Sequence, residues 1–404
     1  MIQSEPTLRS VALPLVAMLA VQTAVAMAVY VAPVMAPVAA PEIGVASSAI
    51  GYFIAIVYLG SMIGSVTAGG WIARFGPIRA SQAGLVLCFV GLALGATAWL
   101  PLVLLGAFTI GLGYGPATPA SSQILVRAAP ASLISLTFSI KQTGVPLGGV
   151  LAGVAVPTMI LLLGWSGAAL AVGVACLALV FGVAPIRARY DCDLDTRAPI
   201  TLRSTLGPLR LVLGVPRLAE MAFASFVYAG VQITLVTYLV TFLTEMFSMS
   251  LVLAGLVMAV SQVASVFGRV LWGTCADRIV SPRRMLALLG LAMGGCAAAT
   301  LAASPDWPIA LLFVFAAAFG ATAVGWNGVL LAEVARCAPV GQAGPATGGV
   351  LFFTYLGVVV TPPLFNVVLG LAGSYAVAYG VFALPALAVG MRLLMWRPPL
   401  HPAA

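Results

Sequence analysis

Charge is what this sequence has least of. Asp, Glu, Lys and Arg make up only 7% of its 404 residues, against roughly 25% in a soluble domain. Lysine occurs once, at Lys141, and histidine once, at His401. Such a chain is not a soluble domain. With 62% of its residues drawn from AVILMFWYC it is membrane-embedded along its length. Its six cysteines (Cys88, Cys176, Cys192, Cys275, Cys296 and Cys337) lie scattered, with no paired spacing. Neither a disulfide framework nor a metal site is indicated, and most of them read as small packing residues. No phosphate-binding loop, metal cluster or nucleophile–base pair is present. ATP drive and enzymatic chemistry are therefore unsupported, and no cofactor is implied. The net charge of +8 would suggest nucleic acid in a soluble protein; here the arginines fall in loops at regular intervals, as in a membrane protein.

A membrane span needs about 20 apolar residues, and twelve can be placed. The first six run Val11–Val34, Ser47–Gly69, Ala80–Ala98, Leu102–Val126, Leu133–Leu162 and Trp165–Ala184. The next six run Leu218–Leu243, Leu251–Trp272, Met285–Ala303, Trp307–Ala335, Gly348–Leu369 and Tyr375–Met395. The first has no convincing cleavage site and reads as a retained helix. Fifteen arginines, from Arg9 and Arg74 to Arg336 and Arg397, fall in the segments on one side, while the opposite loops hold only Glu42, Glu245 and Asp306. That bias puts both termini and the arginine-bearing loops in the cytoplasm, with the chain spanning the inner membrane many times. The polar stretch 185–216 reads as a solvated central loop between an N-terminal bundle, 1–184, and a C-terminal bundle, 217–404.

The two halves repeat each other. Val21-Gln22 and Val231-Gln232 lie 210 positions apart; Gly111…Arg127-Ala128-Ala129-Pro130 and Gly320…Arg336-Cys337-Ala338-Pro339 lie 209 apart. An internal duplication of the kind found in transporters accounts for both. After span two the chain reads Gly69-Gly70-Trp71-Ile72-Ala73-Arg74-Phe75-Gly76-Pro77-Ile78-Arg79. After span eight it reads Gly273-Thr274-Cys275-Ala276-Asp277-Arg278, followed by Arg283-Arg284. Small residues let helix ends approach closely; a carboxylate and arginines in a short loop can then make contacts that form in one state and break in another.

These loops resemble the G-x-x-x-D-R-x-G-R-R signature of major facilitator superfamily transporters. With twelve spans, a central loop and an internal repeat, the resemblance covers nearly the whole chain. It implies an all-α membrane fold of two six-helix bundles and a gating role for Gly70, Arg74, Gly76, Arg79, Gly273, Asp277, Arg278, Arg283 and Arg284. One departure stands out. Ala73 occupies the usual aspartate position in the first half, so that latch is expected to be weaker or built differently. Gly144-Val145-Pro146-Leu147-Gly148-Gly149 is similar to the fifth-helix motif of drug antiporters, with the glycine–proline order changed.

All ten carboxylates (Glu5, Glu42, Asp191, Asp193, Asp195, Glu220, Glu245, Asp277, Asp306 and Glu333) fall in tails, loops or helix ends. None is left at mid-membrane to bind a cation or relay a proton. The chain instead puts cations inside. Lys141 lies about 16 Å along a helix from Pro130, near the midplane, and Arg269 about 12 Å from the loop after span eight. A charge at such depth normally faces a partner or a water-filled cavity. An arginine in that place also resembles the eighth-helix arginine of monocarboxylate and oxalate transporters.

The sequence therefore predicts an alternating-access secondary transporter for a small organic anion, a carboxylate, held between the bundles by Lys141 and Arg269. Gln22, Tyr30, Tyr114, Gln142, Tyr228, Gln232, Gln262, Trp326 and Asn327 are further candidate contacts, each also suited to helix–helix packing. Coupling would be proton symport or anion exchange. Expected partners are the small-molecule substrate, protons and the lipid bilayer, with no nucleic acid and a monomeric state. The alternatives are a drug-efflux carrier of the same superfamily and a non-transporting receptor or scaffold.

Overall fold

A computed structural model describes residues 8–128, 137, 140–192, 194, 195, 197, 206–339 and 342–395. Within them the backbone is helical, and two compact units divide the chain, Met1–Leu202 and Arg203–Ala404. In the first unit the helices are α1 (Leu8–Ile43), α2 (Ile50–Phe75), α3 (Pro77–Gly95), α4 (Leu100–Tyr114), α5 (Ala117–Ala128) and α6 (Gly144–Val183). The second unit holds α7 (Leu206–Gly214), α8 (Pro216–Met246), α9 (Leu251–Arg278) and α10 (Pro282–Ala299). It continues with α11 (Ile309–Ala323), α12 (Asn327–Cys337), α13 (Ala343–Ala372) and α14 (Tyr375–Met395).

Eleven helical stretches are long and apolar enough to cross a membrane. One of them, Ile140–Tyr190, has 51 residues. At 1.5 Å per residue that is more than twice the ~30 Å hydrocarbon thickness, so it cannot be a single crossing. Gly164 divides it, with φ 71° and ψ 169° inside an otherwise helical run. The turn falls between the predicted fifth and sixth spans. Gly373, at φ 64°, plays the same part between α13 and α14.

Three predicted boundaries are corrected. The first span, expected to end at Val34, continues to Ile43 with Pro33, Pro37 and Pro41 inside it. Prolines inside a membrane helix are tolerated where neighbouring groups satisfy the freed backbone, and the helix runs on through these three. The fourth and tenth spans are each two helices. In the first unit the break is at Gly115-Pro116, where proline lacks the N–H and its ring clashes with the preceding turn. In the second it is at Val324-Gly325-Trp326. There the released carbonyls are satisfied from α9: Trp272 Nε1 donates to Ala321 O (2.8 Å) and Arg269 Nε to Val324 O (3.3 Å).

The repeat extends to packing. A Cβ at Gly111 of α4 would run into the Val57 carbonyl of α2, and one at Gly320 of α11 into the Ser261 carbonyl of α9. Only glycine lets these backbones approach so closely. The stretch 185–216, expected to be solvated throughout, is partly packed. Tyr190 is buried in the helical turn Arg187–Tyr190, and Val212 of α7 is buried against Gly349 of α13.

Candidate functional site

Lys141 lies in the helical turn just before α6 and is 1% exposed. Its ammonium donates to Thr118 Oγ1 at 3.1 Å, and that hydroxyl donates onward to Gln22 Oε1 at 3.3 Å. The break at Gly115-Pro116 starts a new helix, and its first turn aims Thr118 between α1 and Lys141. Gly144 completes the arrangement: a Cβ there would meet the Gln22 side chain and the Leu19 carbonyl, so glycine lets α6 close onto α1 beside Gln22. Pro146 sits in the first turn of α6, a position proline tolerates. The site has more donors than acceptors. Among the described residues Thr118 is the only acceptor of the ammonium, and the Gln22 Nε2 amide, also 1% exposed, has no partner.

The second unit contains the same bond without the cation. Asn327, which opens α12 after its break, donates from Nδ2 to Gln232 Oε1 of α8 at 3.3 Å. Gln22 and Gln232 lie 210 positions apart, and Thr118 and Asn327 lie 209 apart. No Lys or Arg occurs between residues 343 and 372, so α13 supplies nothing like Lys141.

The other candidates divide by what they touch. Tyr228 is buried and donates to Leu286 O at 2.9 Å, its ring edge-on to Trp326, whose Nε1 donates to Ala323 O. These two side chains hold helices together. Arg269, partly buried, serves the α11–α12 break described above. Tyr114 ends α4 and packs edge-on against Tyr58. Tyr30 is buried in α1, and Gln142 is half-buried beside Lys141. Gln262 on α9 is 1% exposed, and neither of its amide atoms has a partner among the described residues.

The arginine-bearing loops differ between units. In the second, Arg283 grips Glu220 of α8 with two bonds of 2.7 and 3.0 Å, and Arg392 of α14 approaches the same carboxylate at 3.5 Å. Ser281 caps α10, accepting from Arg284 N. Gly273, Arg278 and Arg284 lie at this end, the two arginines exposed; the Asp277 side chain lies outside the described residues. Sequence reasoning placed Glu220 at a helix end but missed its pairing, although it is the one acid in the first turns of α8. In the first unit Arg74 and Arg79 are exposed, and Gly70 precedes them on α2. No carboxylate stands at Ala73. Instead Asp191, which follows the turn after α6, accepts from Ile78 N at 2.8 Å and Arg79 N at 3.1 Å.

At the opposite ends the units again agree. Trp165 Nε1, just after Gly164, donates to Glu42 at 2.6 Å, and Tyr375, just after Gly373, lies beside Glu245. Most of the stretch between Ala128 and Ile140, including Pro130 and Ser139, lies outside the described residues, as do Glu5, Asp193 and His401.

The family model described as Major Facilitator Superfamily matches residues 18–334. The chain belongs to that superfamily. It is a multi-pass membrane transporter and not an enzyme. Solved superfamily structures share the fold. A D-xylose–proton symporter matches with a TM-score of 0.72 at 16% identity, over 95% of this chain and 98% of the symporter. A bacterial homolog of the human lysosomal transporter Spinster matches with 0.72 at 14% identity, over 96% of each chain. A peptide transporter of the POT family matches with 0.73 at 16%, over 94% of this chain and 93% of its own. The Mycobacterium tuberculosis protein named "Probable nitrate/nitrite transporter NarK2" is 33% identical over 141 residues. That match spans about a third of each chain, 35% of both.

Proposed function

We propose that this transporter carries a small oxoanion, bound through Lys141, Gln22 and Thr118. One observation supports the reading most directly: a buried ammonium is bonded to a hydroxyl, with no carboxylate partner among the described residues, beside an amide N–H₂ that has no acceptor. The unfilled donors at this node are the remaining N–H bonds of the ammonium and the Gln22 N–H₂. A carboxylate or another planar oxoanion offers only acceptors and supplies the negative charge that the desolvated ammonium lacks. A small organic carboxylate is the first reading. Nitrate or nitrite is the second, favoured by the name of the mycobacterial relative and fitting the same donors. The arginine bias supports cytoplasmic termini, and the reading puts the chain in the inner membrane. With no acidic residue set aside for protons, coupling is by anion exchange or proton symport.

Uptake into proteoliposomes tests this with labelled mono- and dicarboxylates and nitrate, comparing wild type, Lys141→Ala and Lys141→Arg. A hydrogen bond to a charged group contributes about 1.5–3 kcal/mol. Lys141→Ala should therefore lower kcat/KM for the carried anion by about 10- to 100-fold, with Lys141→Arg retaining part of the activity. Anion uptake that ignores the substitution would exclude Lys141 from the site. Movement of neutral drugs with no anion transport would favour the efflux reading.

A further inference from the structure

The first unit lacks two things its counterpart has. Ala73 stands where the second unit carries Asp277, 204 positions on, and Gly76 holds the N-cap place of α3 that Ser281 fills in α10. Gly76 has no side chain to cap α3 and Pro77 has no N–H, so the first free N–H groups of the helix belong to Ile78 and Arg79. Both are taken by one carboxylate, Asp191, which lies 113 residues from Ile78 in the chain. The same stretch also reaches the end of α2, where Asp195 N donates to Ala73 O at 2.9 Å. Gly76, between the two helices, has φ 93°, and a Cβ there would overlap the Asp191 carboxylate. Glycine is thus needed for the turn and for the close seat of Asp191 on it.

We propose that Asp191 is a positioning residue for the transport cycle. It replaces the missing local latch with a strap from the chain leaving α6, and it must let go for the α2–α3 turn to move. In the second unit the cap itself is local, Ser281 to Arg284 N, and the distant tie at this end is a separate side-chain pair, Arg283 to Glu220 of α8. In the first unit the α2–α3 turn and the exit of α6 are tied by a single half-exposed carboxylate. Release there needs no unfolding, only the parting of two hydrogen bonds to Asp191 and one to Ala73.

Cys192, exposed and next in sequence, is a native reporter. The full-length protein in detergent is labelled at Cys192 with a maleimide, and the rate is read by peptide mass analysis in wild type, Asp191→Asn and Asp191→Ala. Asparagine can keep one of the two bonds and alanine neither, so the rate should rise in that order, severalfold for alanine. Identical rates in all three would overturn the strap. A second readout separates positioning from simple stabilisation. For whichever anion the wild type carries, Asp191→Ala should lower the maximal rate severalfold with KM held within twofold and the melting temperature nearly unchanged. Full transport activity, or a loss that merely follows a fall in melting temperature, would overturn the positioning role. The labelling arm does not depend on Lys141 binding an anion, so the strap and the substrate reading fail separately.

Discussion

Gln22 and Tyr228 are both buried polar side chains on the opening span of a half, and they behave oppositely. The Gln22 amide N–H₂ lacks a partner, whereas the Tyr228 hydroxyl holds Leu286 O. Gln22→Leu removes the unsatisfied N–H₂, which favours the folded state, and the Oε1 that accepts from Thr118, which costs about 1 kcal/mol. The two effects oppose each other, so the melting temperature should change little while anion binding weakens severalfold, seen as a higher KM in uptake. Tyr228→Phe should do the reverse, costing about 1 kcal/mol of stability with KM unchanged. A KM effect in the tyrosine variant alone would invert this assignment. Lys141, Gln22 and Gln232 were legible in the sequence because the first is a lone cation in apolar surroundings and the others share a repeat position. Thr118 was not, since one threonine among many carries no signal until a helix break aims it. Nor was Asp191, because a contact across 113 residues depends on a fold that no local pattern encodes.

Among the elements, the turns after α6 begins and after α13 ends carry the clearest expectation. Gly164 and Gly373 have positive φ, and a Cβ at either would meet nothing within 4 Å. Alanine there is penalised by backbone conformation alone: about 1–2 kcal/mol at Gly373, which is left-handed, and up to about 3 kcal/mol at Gly164, whose φ 71° and ψ 169° are essentially restricted to glycine. Gly164→Ala should thus lower thermal stability more than Gly373→Ala. Gly111→Ala should cost more than Gly373→Ala, because its Cβ meets the Val57 carbonyl and α2 and α4 must part. Equal melting temperatures for Gly111→Ala and Gly373→Ala would contradict the close approach. The positions of the spans were readable from hydropathy, and the turn between the fifth and sixth from the polarity and glycine near 164. The breaks within the fourth and tenth spans were not. Apolar residues continue through both, and the second break contains no proline: it is held by Trp272 and Arg269 from another helix.

At the scale of the whole molecule, the duplication is visible in the Gln22–Thr118 and Gln232–Asn327 bonds, the two broken helices, and the paired Glu42–Trp165 and Glu245–Tyr375 contacts. Its topology can be checked directly. Alkaline phosphatase fused after Ser248 should be active outside the cytoplasm, and the same enzyme fused after Ile279 inactive; active fusions at both sites would refute the proposed orientation. The duplication is unequal, because only one half carries a lysine. That inequality has an electrical consequence. On the proposed reading, with Lys141 as the anion site of an alternating-access cycle, the membrane potential falls across whichever gate is closed, and the ammonium lies first on one electrical side and then on the other. Loaded with a monovalent anion the site is neutral and indifferent to voltage; empty, it carries a positive charge worth about 2.3 kcal/mol per 100 mV. The unloaded return is then the step that the membrane potential drives or opposes, and a potential negative inside holds the empty carrier open to the cytoplasm.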